Sequence, residues 1–390
     1  MAAAPPERLP ALTGLRFAAA LGILLFHYGG PLVAWAPAWV ERIRVGGHVW
    51  VGLFYVLSGF VLARAHPRPL GPEARRAFYA ARLARLYPAY LLAFLLVAPF
   101  ALDRWAAGGP AAAAKAAVVA AAALLLVQAW FPPLARLWNA PGWSTSAVAA
   151  FYAAFPFAAA ALGRLGRRGL ALAAGAAWLA SLSFPAAWLL LRPDGAEVEL
   201  SWKEPFWLEA LKFHPVARAG EFLAGVALGL LDARRPLVPR GGSLAAALAL
   251  AAAVAVLAWG GVPYPLLHNG ALVPLFAVAV VGLARGPGPL ARLLGSRPAQ
   301  VLGDASFALY ALQEPLWLWG RRVAGHPNAP ASAVFVLAFA AAAAAISIAV
   351  SIAFERPARR AIRAALGSAR KRPPEVSSPP AVRALPPQRP

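Results

Sequence analysis

Cysteine is absent from the 390 residues, which removes disulfides, thiolate nucleophiles and cysteine-held metals from consideration. Acidic residues are scarce too, 15 Asp and Glu against 37 Lys and Arg. Charge of either sign makes up only 13% of the chain, while 61% is hydrophobic and the mean hydropathy is +0.63. That is the composition of an integral membrane protein and not of a soluble globular one. A formal charge of +22 would suit a nucleic-acid binder. Here most arginines flank apolar stretches, where they act as topology determinants and contacts for anionic lipid. The expected partner is therefore the lipid bilayer, with no nucleic acid. The first apolar run is too long for a signal peptide and lacks a small-residue cleavage site, so a retained helix is expected.

What is present is a series of apolar stretches of spanning length. They fall at about 10–29, 47–65, 86–102, 111–131, 145–163, 169–191, 214–231, 243–260, 267–284, 300–320 and 331–354. The connector after the second holds Arg64, Arg68, Arg75, Arg76, Arg82 and Arg85, and the fifth is followed by Arg164, Arg167 and Arg168. Both connectors are expected in the cytosol. Between 192 and 212, Asp194, Glu197, Glu199, Glu204 and Glu209 outnumber the basic residues, as in an outer loop. Arg234, Arg235 and Arg240 then lie inside, the uncharged 261–269 outside, and Arg285, Arg292 and Arg297 inside. Arg356, Arg359, Arg360 and Arg363 open an inside tail.

Three crossings cannot join two cytosolic connectors. One of 86–102, 111–131 and 145–163 therefore does not span, and the Ala-rich 111–131 is the one selected. The expected fold is all-α and polytopic, with about ten transmembrane helices and both termini cytosolic. Residues 1–357 form the membrane domain. From about Gly367 the chain turns to Arg, Lys, Pro and Ser, and 358–390 is expected to be a basic, Pro-rich, disordered cytosolic tail.

The first helix carries two residues that hydrocarbon disfavours, Arg16 and His27. Eleven positions separate them, which returns nearly to the same helical face at roughly 16 Å along the axis. An ionisable group at membrane depth costs a few kcal/mol and normally faces a protein interior or a wet cavity. Snorkelling of Arg16 and a headgroup position for His27 would satisfy the same pattern. A polar channel with the histidine as its base is the sharper alternative.

Further motifs follow. Residues 47–66 read GHVWVGLFYVLSGFVLARAH; Ser58-Gly59 inside the apolar run suits close helix packing or a substrate contact. Arg82 and Arg85 share one helix face, either as forked phosphate donors or as positive-inside anchors. Trp143-Ser144-Thr145-Ser146 is followed by Phe151-Tyr152 and Pro156. LGDASFALYALQEP spans 302–315, and Phe354-Glu355-Arg356-Pro357 closes the series.

In order and spacing these motifs resemble the membrane-bound acyltransferase family 3, the polysaccharide O-acetyltransferases and their relatives, over about residues 9–357. Three positions depart from the family's pattern. Val148 stands where a glutamate is usual, Gln313 where a histidine is usual, and Gly52 where an acidic or hydroxyl residue is frequent. The resemblance implies a multi-pass protein of a bacterial-type inner (plasma) membrane. It would move an acyl group, acetyl in the simplest case, from cytosolic acyl-CoA to a hydroxyl of a sugar, polysaccharide or other envelope or secreted acceptor. Arg82 and Arg85 would bind the donor's phosphates, Arg16 would contact the donor or orient its thioester, and His27 would be the catalytic base. Ser58, Trp143, Ser144 and Tyr152 are the substrate-binding candidates. Acyl-CoA enters as co-substrate, with no tightly bound cofactor. No metal site is expected, since the six histidines are scattered and unsupported by carboxylates. A catalytically degenerate scaffold and a polysaccharide or lipid transporter are the alternatives. Transport would call for internal symmetry and broken helices. A glycosyltransferase using lipid-linked sugars would call for acids in the first outer loop, which holds only Glu41.

Overall fold

The computed structural model describes residues 9–195, 205–237, 241–285, 288–325 and 330–367. Glu197, Glu199 and Glu204 of the acidic loop, Arg240, and the Pro-rich tail after Gly367 lie outside them. The helices are α1 (Pro10–Tyr28), α2 (Ala38–Val45), α3 (Trp50–Ala65), α4 (Pro72–Asp103), α5 (Gly109–Leu124), α6 (Gly142–Gly163), α7 (Arg167–Leu191) and α8 (Phe206–Phe213). There follow α9 (Pro215–Arg234), α10 (Gly242–Trp259), α11 (Tyr264–His268), α12 (Val273–Arg285), α13 (Pro289–Leu294), α14 (Arg297–Val323), α15 (Ala333–Val350) and α16 (Arg356–Gly367). No strand occurs among the described residues. Several helices start on proline at the first position, where its missing N–H costs nothing. Two more are capped by serine: Ser296 accepts from Ala299 N at 3.4 Å and Ser332 from Phe335 N at 3.1 Å.

Among the described residues, eight helical stretches are long and apolar enough to cross a membrane: Pro10–Tyr28, Ala38–Ala65, Pro72–Asp103, Gly142–Gly163, Arg167–Leu191, Gly242–Trp259, Tyr264–Arg285 and Ala333–Ile362. Two further long helices, α9 (20 residues) and α14 (27 residues), belong to the ten expected from sequence. In both, charge is spread along the helix, and α9 turns Arg218, Glu221 and Asp232 inward, where all three are buried. The Ala38–Ala65 stretch is central, 72% buried inside the protein, and α7 is peripheral at 17%.

The Ala-rich α5 behaves as the loop charges require. It runs back along α4 to the level of Tyr87 and Tyr90, whose hydroxyls donate to Leu124 O (3.2 Å) and Ala123 O (2.8 Å). The chain then doubles back, Ser146 Oγ donating to Leu126 O at 2.6 Å. Arg234 reaches the carbonyls of Gly163 and Leu165, so the end of α6 and the end of α9 share one end of the bundle. At that end the buried Asp232 accepts from both Arg64 and Arg285.

In lipid, helix association lacks the hydrophobic drive and depends on close packing of small residues. The α3–α9 pair shows it. A Cβ on Gly59 would strike Phe222 O, one on Gly225 would strike Val56 O, and one on Gly229 would strike Phe60 O. Gly303 of α14 meets Thr13 O of α1 the same way, and Gly14 of α1 meets Leu294 O of α13. A π-helical turn, Ser351–Glu355, joins α15 to α16, which packs on α4 and carries residues 358–367 as helix.

Candidate functional site

Helices α1, α3, α4, α6, α14 and α16 enclose a cleft of about 310 Å³. Arg16, Ser58, Arg82, Arg85, Thr145, Val148, Tyr152, Asp304, Tyr310 and Arg359 are among its lining. Four guanidiniums against one carboxylate make it a site for an anion, and forked donors suit phosphate. Arg82 lies over the rings of Phe78 (5.6 Å) and Tyr152 (5.7 Å), which fix its long side chain. The π turn swings Glu355 inward, fully buried, to pair with Arg359 and to stand 3.9 Å from Arg85. Arg356 meets Asp304 at 3.4 Å. A second depression of about 630 Å³, at Pro10, Gly288, Ala291, Arg292 and Gly295, offers a single charged side chain.

Beyond the cleft, α14 ties α1 to α6. Tyr310 Oη shares a 2.6 Å hydrogen bond with Ser144 Oγ and donates to Pro141 O at 3.1 Å. One turn on, Gln313 Nε2 donates to Tyr310 O at 3.0 Å, and its Oε1 lies 3.2 Å from His27 Nδ1. Next to it, Glu314 accepts from Ala140 N, holding the loop that opens α6. His27 is exposed at the end of α1. Because α1 is one unbroken helix, Arg16 and His27 keep the axial separation expected from sequence.

Of the residues singled out from sequence, Arg16, Ser58, Arg82, Arg85 and Tyr152 come together in the cleft. His27 stands outside its lining, past Tyr310 and paired with Gln313. Ser144 touches the cleft only through Tyr310. Trp143 faces elsewhere, against Phe213 (4.9 Å between ring centroids) and His268 (6.1 Å). Ser58 and Gly59 divide the two roles open for that pair: the glycine makes the helix crossing and the serine lines the cleft. Arg359 was not singled out. Its signal was present in the sequence, four residues after Glu355 and so on the same face of the terminal helix.

A second polar group gathers around Arg218 and Glu221. Arg218, fully buried, donates to His268 O, and its Nη2 pairs with Glu221 Oε2 at 2.8 Å. The same guanidinium lies 2.6 Å from His268 Nδ1 and 2.9 Å from Asn269 Oδ1. His48 stacks on His268 with centroids 5.2 Å apart. Arg218 and Glu221, three apart within the apolar 214–231, are the pattern that could have revealed it. The cluster also accounts for Gly52, where a Cβ would stand 2.9 Å from Glu221 Oε1. The carboxylate from α9 fills the space that a side chain on α3 would need.

The profile of the acyltransferase-domain family matches residues 9–356. The acyltransferase MdmB of Streptomyces mycarofaciens is 30% identical over 345 residues, 82% of each chain. Protein 2 in the picA locus of Rhizobium radiobacter is 38% identical over 112 residues, 28% of this chain and 54% of that protein. No solved structure matches. With a family profile spanning the ordered helices and a relative aligned along most of the chain, the protein belongs to the membrane-bound acyltransferase family 3 and is a multi-pass acyltransferase that moves groups other than aminoacyl groups.

Proposed function

We propose that the protein transfers an acyl group, acetyl in the simplest case, from cytosolic acyl-CoA to a hydroxyl of a sugar, polysaccharide or other envelope or secreted acceptor. The observation that carries this is the convergence of Arg16, Arg82, Arg85 and Arg359 on one cleft. Their charge suits the donor's phosphates, with Glu355 holding Arg359 toward the cleft. Arg16, deeper on α1, accompanies the pantetheine arm. His27, roughly 16 Å further along that helix, meets the acceptor at the opposite mouth.

The reaction balances with these groups. His27 takes the proton from the acceptor hydroxyl as its oxygen bonds to the thioester carbonyl carbon. The tetrahedral intermediate then expels the CoA sulfur, breaking the C–S bond, and the proton passes from His27 to the thiolate. Val148 lies in the cleft lining, so this step draws on no carboxylate at that position.

A chain without cysteine allows a direct assay, because a thiol reagent then registers only released CoA. Purified protein given acetyl-CoA and an acceptor extract from the producing cell's envelope should release CoA. His27→Gln keeps a hydrogen-bonding side chain but cannot carry the proton, and should lower release about a hundred- to ten-thousandfold. Near-normal turnover in His27→Gln, at unchanged thermal stability, would remove the histidine as base.

A further inference from the structure

The departure at Gln313 replaces a titratable ring with an amide, which on its face weakens the site. The geometry points to the opposite: we infer that Gln313 is a positioning residue that holds His27 in the tautomer protonated at Nδ1, leaving Nε2 as the proton-accepting nitrogen. This rests on the acyl transfer proposed above and deepens it.

An amide can face a neighbour with oxygen or with NH2, and here its surroundings decide. The nitrogen of Gln313 stands 3.0 Å from the carbonyl oxygen of Tyr310, an acceptor with no proton to give. Reversing the amide would set two oxygens against each other. Oε1 is thereby turned toward His27 Nδ1 at 3.2 Å, and an oxygen that can only accept requires a proton on that nitrogen. A neutral imidazole holds one proton, so Nε2 carries the free lone pair. Free imidazole side chains prefer the reverse arrangement, with Nε2 protonated, and an Nε2–H cannot take a proton from a hydroxyl. Gln313 is fully buried, while His27 is exposed at the end of α1. The rest of the support is rigid. Tyr310, whose carbonyl fixes the amide, is itself held through its hydroxyl to Ser144 and Pro141 O. The motif S-F-A-L-Y-A-L-Q thus sets both ends of one hydrogen-bond chain running from α6 to the base on α1.

The test is the tautomer itself, read from ring-nitrogen chemical shifts and two-bond couplings in protein labelled with 15N-histidine. The six histidines are distinguished by comparison with His27→Gln. The wild-type His27 signal should report protonated Nδ1 and bare Nε2. Gln313→Met, close in shape but unable to accept, should shift the ring toward the Nε2–H form. It should also lower kcat ten- to a hundredfold while KM for acetyl-CoA stays within twofold. Gln313→Glu, which keeps an accepting oxygen, should retain the Nδ1–H tautomer and restore most of the turnover. An Nε2–H ring in the wild type, or a tautomer unmoved in Gln313→Met, overturns this inference and leaves the base role of His27 to be judged by His27→Gln. A tautomer that moves with turnover unchanged overturns both, since His27 would not then be the base.

Discussion

Replacing Arg82 and Arg85 together with glutamine tests the donor site, and the structure sets the size of the effect. A hydrogen bond from a charged group contributes about 1.5–3 kcal/mol. Arg82 belongs near the top of that range, because the Phe78 and Tyr152 rings hold it in place before a ligand arrives. Arg85 belongs near the bottom, since Glu355 at 3.9 Å already satisfies part of its charge and the side chain is 22% exposed to screening. Together they should cost about 3–5 kcal/mol, roughly a hundred- to a few thousandfold in Kd for CoA. The remaining affinity would come from Arg16 and Arg359. Isothermal titration of CoA into purified protein measures the loss directly, and a salt series should show a shallower dependence in the double variant. Insertion should be unaffected, because Arg64, Arg68, Arg75 and Arg76 still mark the connector. A Kd within threefold of wild type would reduce both residues to topological anchors and refute the phosphate-binding cleft.

The Gly52–Glu221 contact and the topology give two more tests. Gly52→Ser places a side chain against Glu221 and should lower stability by about 1–3 kcal/mol, seen as a reduced thermal midpoint in detergent. A midpoint unchanged in this variant would mean that the carboxylate has other room. For topology, cysteines introduced singly into the cysteine-free chain should be labelled from outside at 261–269 and only after permeabilisation at Arg75 and Gly166. Outside labelling at Gly166 would undo the ten-crossing arrangement.

Much of this is legible in the sequence. Arginine spacing predicted which loops share an end, and the bonds from Arg234 to Gly163 and Leu165 bring two of those loops together. The parity of crossings singled out α5, and Tyr87 and Tyr90 stop it part-way along α4. Arg16, Arg82 and Arg85 could be foreseen as neighbours because each broke an apolar or interfacial pattern. Arg359 is marked among the arginines around it only by its spacing of four from Glu355, and the π turn before it is what brings that pair inward. Arg218 and Glu221 can be paired within one segment, but their meeting with His268 of α11 and with His48 before α3 is recorded by no periodicity. Gln313 showed the limit most clearly. Sequence comparison marks it as the loss of a histidine, whereas its role depends on which way an amide faces.

Gly303 and Thr13, where α14 and α1 touch backbone to backbone, act as a vernier for the pair at the far end. From Gly303 to Gln313 is ten residues, about 15 Å of straight helix, and from Thr13 to His27 fourteen, about 21 Å. With no side chain on Gly303 to hold them apart, the two helices sit close, and small angles there become displacements of about an ångström at the imidazole. A single methyl group on Gly303 would push the helices apart far from any reacting atom. It would detune the alignment of His27 with its amide while every polar group stayed in the chain.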